Sequence, residues 1–494
     1  MGLWNKKNGL ALLSGLSCVF GFAPFGIFPI PVLALAVLFV LWLRAASPRA
    51  AAWLGFSFGL GLFGSGIGWI YVALHDYGDM PMLLALPATV LFAAFLALFT
   101  ALAGYAQARF PMVNGQRTMW VMPAAWVSVE WLRGMIFTGF PWLTLGYAHS
   151  DSQLAGYAPL LGVYGVSLVA AISAGLLVFL WQAAPWGKQW KLALVSLLLL
   201  WGGGALLGTV AWTQPHGEPF KVALVQGNIA QSLKFNEDAL VGTLETYRRL
   251  VSQGEARLTI LPETALPLLR HEVPENYVQL MRDHAKQSGG DMLIGVFERS
   301  NGSYYNSVFT LGTSDEQHYR KQHLVPFGEF IPLRPLLGWF INGVLDIPMG
   351  DLARGAQQQA PLNVAGQQVS VNICYEDVFG EEIIRSLPQA TLLVNVTNDA
   401  WYGHSYAAAQ HNQIAQLRAL ETGRMMLRAT NTGVTSIIGA DGKVLQQLPQ
   451  HEEAVLLGTA QGYDGVTPYV RWGNAAVLLL IVLMLSGAWV AARR

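Results

Sequence analysis

The sequence predicts a polytopic α-helical membrane bundle of about eight transmembrane helices carrying one extracytoplasmic α/β domain. Three observations lead there. The 494 residues are 53% hydrophobic and only 12% charged, with 17 Trp, far from the composition of soluble chains. Charge-poor apolar runs recur through the first 211 residues and once more near the end. Between them, residues 212–470 switch to short strand-like runs that alternate with amphipathic helical stretches. Charge is balanced, 30 Lys+Arg against 30 Asp+Glu, so no basic excess exists to neutralise phosphates and nucleic acid is excluded as a partner class.

The apolar runs fall at 9–24, 26–43, 52–73, 82–107, 119–134, 157–182, 190–211 and 474–491. A span needs about 20 apolar residues, and most of these qualify. The first and fifth are short, the first being broken by Phe22-Ala23-Pro24-Phe25-Gly26, so seven spans is the alternative count. Lys6 and Lys7 ahead of an apolar run also fit a cleaved signal peptide, but no small-x-small site follows and apolar sequence resumes at once. With eight spans, Lys6, Lys7, Arg44, Arg49, Arg109, Arg117, Lys188, Lys191, Arg493 and Arg494 fall on one side, while the short loops opposite carry little beyond Arg133. Short cytoplasmic loops collect Lys and Arg, so both termini are expected in the cytoplasm and 212–470 in the periplasm of a bacterium. The expected organisation is a bundle over 1–211, the α/β domain over 212–470, and a final helix with its tail over 471–494. Within the bundle, Glu130 and Arg133 stand three apart on one helix face and are expected to pair. Trp142, Tyr147 and Tyr157 suit an outer interfacial belt.

In the α/β domain, strands are expected at 221–228, 258–263, 292–298, 369–374, 392–398, 434–439 and 454–458, and helices at 238–252, 275–288 and 404–422. No glycine-rich phosphate loop and no ligand set with zinc spacing occurs, so neither a cofactor nor a metal is expected. His404 and His411 share a helix face without further ligands and are expected to be solvated or hydrogen-bonded. Of the two cysteines, Cys18 sits in an apolar run and Cys374 in a polar region far away, which argues against a disulfide framework.

Three stretches carry chemistry. In QVSVNICYED, Val369, Val371 and Ile373 alternate with Ser370 and Asn372, and the run ends on Cys374. That is a half-buried strand presenting a thiol at its tip, where backbone N–H groups lie beside it. LTILPET sets Glu263 just beyond a strand that Pro262 ends, at the carboxyl end of a sheet, where open α/β folds meet their ligands. HYRKQHLVPFGEF carries Lys321 ahead of a Pro-Phe-Gly turn and Glu329. Taken singly, these are a buried thiol, a helix-start acid and a solvated lysine. Their order gives them weight, Lys321 following Glu263 by 58 residues and Cys374 following Lys321 by 53.

That Glu-Lys-Cys order resembles the nitrilase superfamily over roughly 220–460. With GFAPFG near the start and EWLRG…GFPW around the fifth run, the whole chain resembles the membrane-embedded apolipoprotein N-acyltransferase family. The resemblance implies an αββα sandwich in the bacterial inner membrane's periplasmic face. It also implies transfer of a fatty acyl chain from a phospholipid, typically phosphatidylethanolamine, through a Cys374 thioester to the α-amine of diacylglyceryl apolipoproteins, the last step of lipoprotein maturation. Glu329 then belongs to the same site and holds Lys321. A free thiol is only a few per cent ionised at pH 7, so Cys374 needs a base, for which Glu263 is placed, and Lys321 with the Tyr375 N–H would steady the oxyanion. Tyr375 and Glu376 are expected to support the site. Phe235, Trp401 and Tyr402 are expected in the pocket wall, Phe235 standing where the family is expected to carry Trp. Trp339 and Phe340 lie in an apolar segment, 327–351, that reads as a lid over the site or as a staple docking the domain on the bundle. A tethered amidase releasing acid to water would use the same triad; a lipid carrier would leave it unexplained.

Overall fold

A computed structural model describes residues 6–110, 114–234, 236–331 and 351–493. The chain forms two compact units, one of Met1–Ile70, Leu83–Ala211 and Arg471–Arg494, the other of Tyr71–Met82 and Trp212–Val470.

In the first unit each apolar run holds a helix: α1 (Lys6–Ser17), α2 (Pro29–Leu43), α3 (Pro48–Gly66), α4 (Met82–Ala108), α5 (Met122–Arg133), α6 (Ala158–Gln182) and α7 (Lys188–Leu207), with Ala475–Ala491 at the end. The start of α3 shows the local logic: Pro48 fits the first helical position and the Ser47 hydroxyl accepts the Ala50 N–H. Lengths differ among them. Among the described residues, Met82–Ala108, Gln153–Gln182 and Lys188–Leu207 are long and apolar enough to cross a membrane, and a fourth span is formed if Pro48–Gly66 and Trp69–Tyr77, bent by 52°, count as one. The 12 residues of α1 reach only about 18 Å at a helical rise, whereas α5 continues without a break from a π-turn at Arg117–Val121.

Glu130 and Arg133 direct their hydrogen bonds to the loop after α5. Glu130 Oε1 accepts from Trp126 Nε1 (3.0 Å) and from the Leu145 N–H (2.9 Å). Arg133 donates to the carbonyls of Phe140 and, at 2.6 Å, Trp142, and to Thr144 Oγ1 at 3.3 Å. Buried charges persist only with such partners, and these draw the loop inward. As a result Trp142 and Tyr147, expected at an interfacial belt, are buried in the bundle with 1% of their surface exposed. Tyr157 is half-buried and donates its hydroxyl to the Leu200 carbonyl.

The second unit runs β1 (Thr213–Gln226), α8 (Glu237–Val251), β2 (Leu258–Ile260), β3 (Leu266–Leu269), α9 (Glu275–Gln287), β4 (Asp291–Ser300), β5 (Ser303–Gly312), β6 (His318–Arg320), β7 (Leu362–Val364), β8 (Gln367–Ile373), β9 (Leu392–Thr397), α10 (Ala407–Thr422), β10 (Met426–Thr430), β11 (Ser436–Ile438), β12 (Val444–Gln447) and β13 (Ala454–Gly465). One sheet has the order β13-β1-β2-β4-β5-β6, with β3 on β4; the other is β12-β11-β10-β9-β8-β7. Helices α8 and α9 cover the first sheet, Tyr247, Leu250, Val278 and Met281 packing on Met292, Ile294 and Val296. Helix α10 covers the second through Ala415 and Ala419 against Leu393 and Met426. The other faces meet, β1 lying against β10, so the layers stack helix, sheet, sheet, helix.

Parallel pairing decides where chemistry can sit. β1, β2 and β4 run parallel in one sheet, and β8, β9 and β10 in the other. Glu263 leaves the carboxyl end of β2, Cys374 that of β8, and Asn398 that of β9. The segment Tyr71–Met82 joins this unit at the same place. Tyr77 meets Trp401 edge-on with ring centroids 6.4 Å apart, and Val72 and Tyr77 flank Gly403, whose φ is +52°.

One backbone approach ties sheet to site. A Cβ on Gly295 of β4 would lie 2.3 Å from the Pro262 carbonyl oxygen and 2.8 Å from Glu263 Cα. Backbone cannot yield as a side chain can, so Gly295→Ala is expected to cost about 1–3 kcal/mol and to displace Glu263. Thermal melting together with the alkylation rate of Cys374 checks this, the expected result being a lowered midpoint and a changed thiol reactivity in a folded protein.

Candidate active site

Cys374 follows β8 directly, in a left-handed conformation (φ +53°) that non-glycine residues rarely adopt. A 3₁₀ turn, Cys374–Val378, and a single helical turn, Gly380–Ile383, follow. Asn395 Nδ2 holds the Cys374 carbonyl at 3.1 Å. The thiol is buried, its residue 8% exposed.

Glu263 comes off β2 with both carboxylate oxygens engaged: Oε1 accepts from Asn306 Nδ2 at 2.7 Å and Oε2 from the Asn398 N–H at 2.8 Å. Lys321 comes off β6 and is 1% exposed. Its main chain donates to the Asn306 carbonyl, and its Nζ sits 2.8 Å from Glu329 Oε1 and 3.5 Å from Glu263 Oε1. Asn306 Nδ2 also reaches Glu329 Oε1 at 3.3 Å, so one amide bridges both carboxylates. Glu329 spends its other oxygen on the Val325 N–H.

These neighbours set the charges. Burial on its own would lower Lys321, but Glu329 and Glu263 outweigh it and keep the amine an ammonium above its ordinary range. Burial raises the Cys374 thiol well above its usual value, Glu263 adding to the rise and Lys321 opposing it. The arrangement therefore holds a fixed cation, a carboxylate and a thiol that ionises only when its proton is taken.

Glu376 joins the lysine and cysteine segments. Its carboxylate accepts from the N–H groups of Gln322 (2.6 Å), His323 (3.0 Å) and Ile373 (2.6 Å), and from the Tyr319 hydroxyl at 3.0 Å. Burial pushes it up to about 7 even though the His323 and Ile373 donors favour its charged form. Tyr375 packs edge-on against Phe379 and His323. Trp401 and Tyr402 are half-buried, and burial raises the Tyr402 hydroxyl, the Cys374 charge adding to the rise. Phe235, Trp339 and Phe340 lie outside the described residues, as does most of 327–351.

Several residues here went unread in the sequence. Asn306 is one. Lys234 is another, donating from Nζ to the main-chain oxygen of Glu263 at 3.1 Å. The largest is a buried charge cluster beneath Cys374. His411 spends Nδ1 on Asp399 (2.9 Å) and Nε2 on Asp377 (2.8 Å), and Arg428 meets Asp377 at 2.9 Å and Asp399 at 3.2 Å. Arg428 also donates to Asn395 Oδ1, the amide whose other end holds the Cys374 carbonyl. His411 is thus hydrogen-bonded and fully buried rather than solvated, while His404 is exposed, precedes α10 and stacks on His451 with centroids 3.9 Å apart. The signal that could have found the cluster is a carboxylate just after each of two strand ends, Asp377 and Asp399, with an arginine inside an apolar strand.

Residues 221–463, which hold the two helix-covered sheets, match the carbon-nitrogen hydrolase family. Residues 14–176 match the N-terminal domain of apolipoprotein N-acyltransferase. Three relatives bearing that name are similar along nearly their whole length: 51% identical in Nitrosomonas europaea (98% of this chain, 97% of the relative), 45% in Methylococcus capsulatus (95% and 93%) and 45% in Ralstonia nicotianae (98% and 93%). The chain belongs to the apolipoprotein N-acyltransferase family.

The cluster carries a pH signature. Burial and Arg428 oppose a charged His411, but Asp377 and Asp399 prevail and hold it above its ordinary value. A histidine raised on folding stabilises fully below its unfolded value of about 6.5, and that contribution is lost as pH rises through the folded value. Thermal midpoints measured from acid to alkaline pH are expected to fall across that window in the wild type. His411→Gln is expected to be less stable at the acidic end and to lack the fall.

Proposed function

We propose that the protein moves a fatty acyl chain from a membrane phospholipid to the α-amine of diacylglyceryl-cysteine on apolipoproteins, by way of a thioester on Cys374. The observation that carries this reading is the buried Lys321 ammonium between Glu263 and Glu329, next to a thiol held in a left-handed corner.

In the first half-reaction Glu263 takes the thiol proton as Sγ attacks the donor's ester carbonyl. Lys321 and the Tyr375 N–H face the negative oxygen of the tetrahedral intermediate. Collapse breaks the carbon–oxygen ester bond, Glu263 returns the proton to the departing glycerol oxygen, and a lysophospholipid leaves an acyl-cysteine behind. In the second, the acceptor's neutral amine attacks the thioester, Glu263 receives a proton from the nitrogen and passes it to the departing sulfur, and the carbon–sulfur bond breaks as an amide forms and the thiol is restored. Phosphatidylethanolamine is the proposed donor. Supporting the membrane setting are the long apolar helices and the gathering of Lys and Arg on one side of the proposed spans, which favours cytoplasmic termini and a periplasmic 212–470.

Incubation of the purified protein with phospholipid vesicles is expected to add one hydroxylamine-sensitive acyl mass, located on Cys374. Cys374→Ser is expected to abolish both that adduct and lipoprotein acylation. Lys321→Ala is expected to slow acylation by about 10²–10³, the scale of a lost oxyanion donor, and Glu263→Ala to block it. Wild-type acylation by any of these variants rules the assignment out. An acyl-enzyme that gives free acid in place of acylated lipoprotein would make the protein a hydrolase.

A further inference from the structure

Lys234 closes the 3₁₀ turn Gln231–Leu233 between β1 and α8. It is 4% exposed, and no carboxylate lies within ion-pair distance of it among the described residues. The one side-chain hydrogen bond it makes there runs from Nζ to the main-chain oxygen of Glu263. An ammonium has three donors, and among the described residues one of them is met. A lysine is almost never buried this deeply without an opposite charge to meet.

The charges of the site say what it meets. Glu263 and Glu329 carry two negative charges and Lys321 one positive, which leaves the trio one net negative before the thiol ionises. Lys321 is already committed to those two carboxylates. The cluster of Asp377, Asp399, His411 and Arg428 balances within itself, two against two. Glu376, where ionised, adds negative charge on the Lys321 side. When Glu263 takes the thiol proton, its negative charge moves to the sulfur and then to the oxyanion, so the buried site stays net negative throughout, which is costly at low dielectric. Among the described residues Lys234 makes no ion pair, and the charges of Glu263 and Cys374 favour its charged form.

We propose that Lys234 is a second cationic residue of the acyl-transfer site, a positioning residue that holds the main chain of Glu263 and supplies the positive charge that allows Cys374 to ionise. This rests on the acyl-enzyme reading above. Burial lowers Lys234 to about 8, with Glu263 and Cys374 pulling the other way, so near neutral pH it is charged and above that the compensation fades.

The test is the pH profile of Cys374 alkylation by iodoacetamide in the full-length protein in detergent, corrected with Cys374→Ser for any labelling of Cys18. Lys234→Met removes donor and charge, Lys234→Gln keeps a donor without charge, and Lys234→Arg keeps both. In Met and Gln variants the midpoint is expected to move up by about one unit, a tenfold slower alkylation near neutral pH, with Arg within about twofold of wild type. Thermal melting identifies any variant that fails to fold, and the Gln and Arg pair decides the matter if Met does not. A Gln profile equal to wild type would mean that only the hydrogen bond matters and overturns the proposal. An Arg profile as depressed as Gln, in a folded protein, overturns it too. Failure of the wild type to take up an acyl mass from vesicles would instead remove the acyl-enzyme reading, while the alkylation profile would still report on Lys234.

Discussion

Most of the site depends on one carboxylate that takes no part in bond making. Glu376 gathers the N–H groups of Gln322, His323 and Ile373 with the hydroxyl of Tyr319, so the segment bearing Lys321 and the strand bearing Cys374 are tied through a single side chain. The two belong to different sheets and do not pair with each other. Hydrogen bonds to a charged group contribute about 1.5–3 kcal/mol each, and several converging on one carboxylate leave its surroundings little freedom. A lysine cannot steady an oxyanion if its distance from the sulfur drifts.

Beneath this lies a second fastening of a different kind. Asp377 and Asp399 extend from two neighbouring strand ends, and like charges so close would push them apart. His411 and Arg428 lie between them and turn repulsion into a closed ring of ion pairs. Such a ring gives little net stability over an apolar filling, because desolvation consumes the attraction, but it is exacting about geometry. Through Asn395 that geometry reaches the carbonyl of Cys374 and helps keep the residue in its left-handed corner.

What the sequence makes legible follows from how local each signal is. Glu263 and Cys374 stand beyond strands that the sequence shows, whereas β6, ahead of Lys321, is too short to read as one, so Lys321 is placed with them by order and resemblance. β5 and β10 were not legible as strands: SYYNSVFTLG carries polar residues through its middle, and MLRAT has Arg428 at its centre. Both interruptions are site residues, Asn306 and Arg428, so the pattern fails where function has displaced an apolar side chain. Lys234 looks like any lysine near a helix start, and nothing within a few positions of it announces Glu263. The burial of Trp142 and Tyr147 was hidden for a related reason, since the pull of Arg133 on the loop is a matter of carbonyl positions that composition does not record.

The segment Tyr71–Met82 bears on how the second unit is assembled. It precedes the rest of that unit by more than a hundred residues, yet Tyr77 abuts Trp401 and Val72 flanks Gly403, at the turn leading from Asp399 to the helix that holds His411. The domain is therefore not a cassette that can be lifted out by cutting on either side of 212–470. An excised fragment would keep every titratable residue of the site and lose the aromatic buttress behind Trp401. Gene fusions or truncations that respect only linear boundaries would keep those residues without the support behind Trp401 and Gly403.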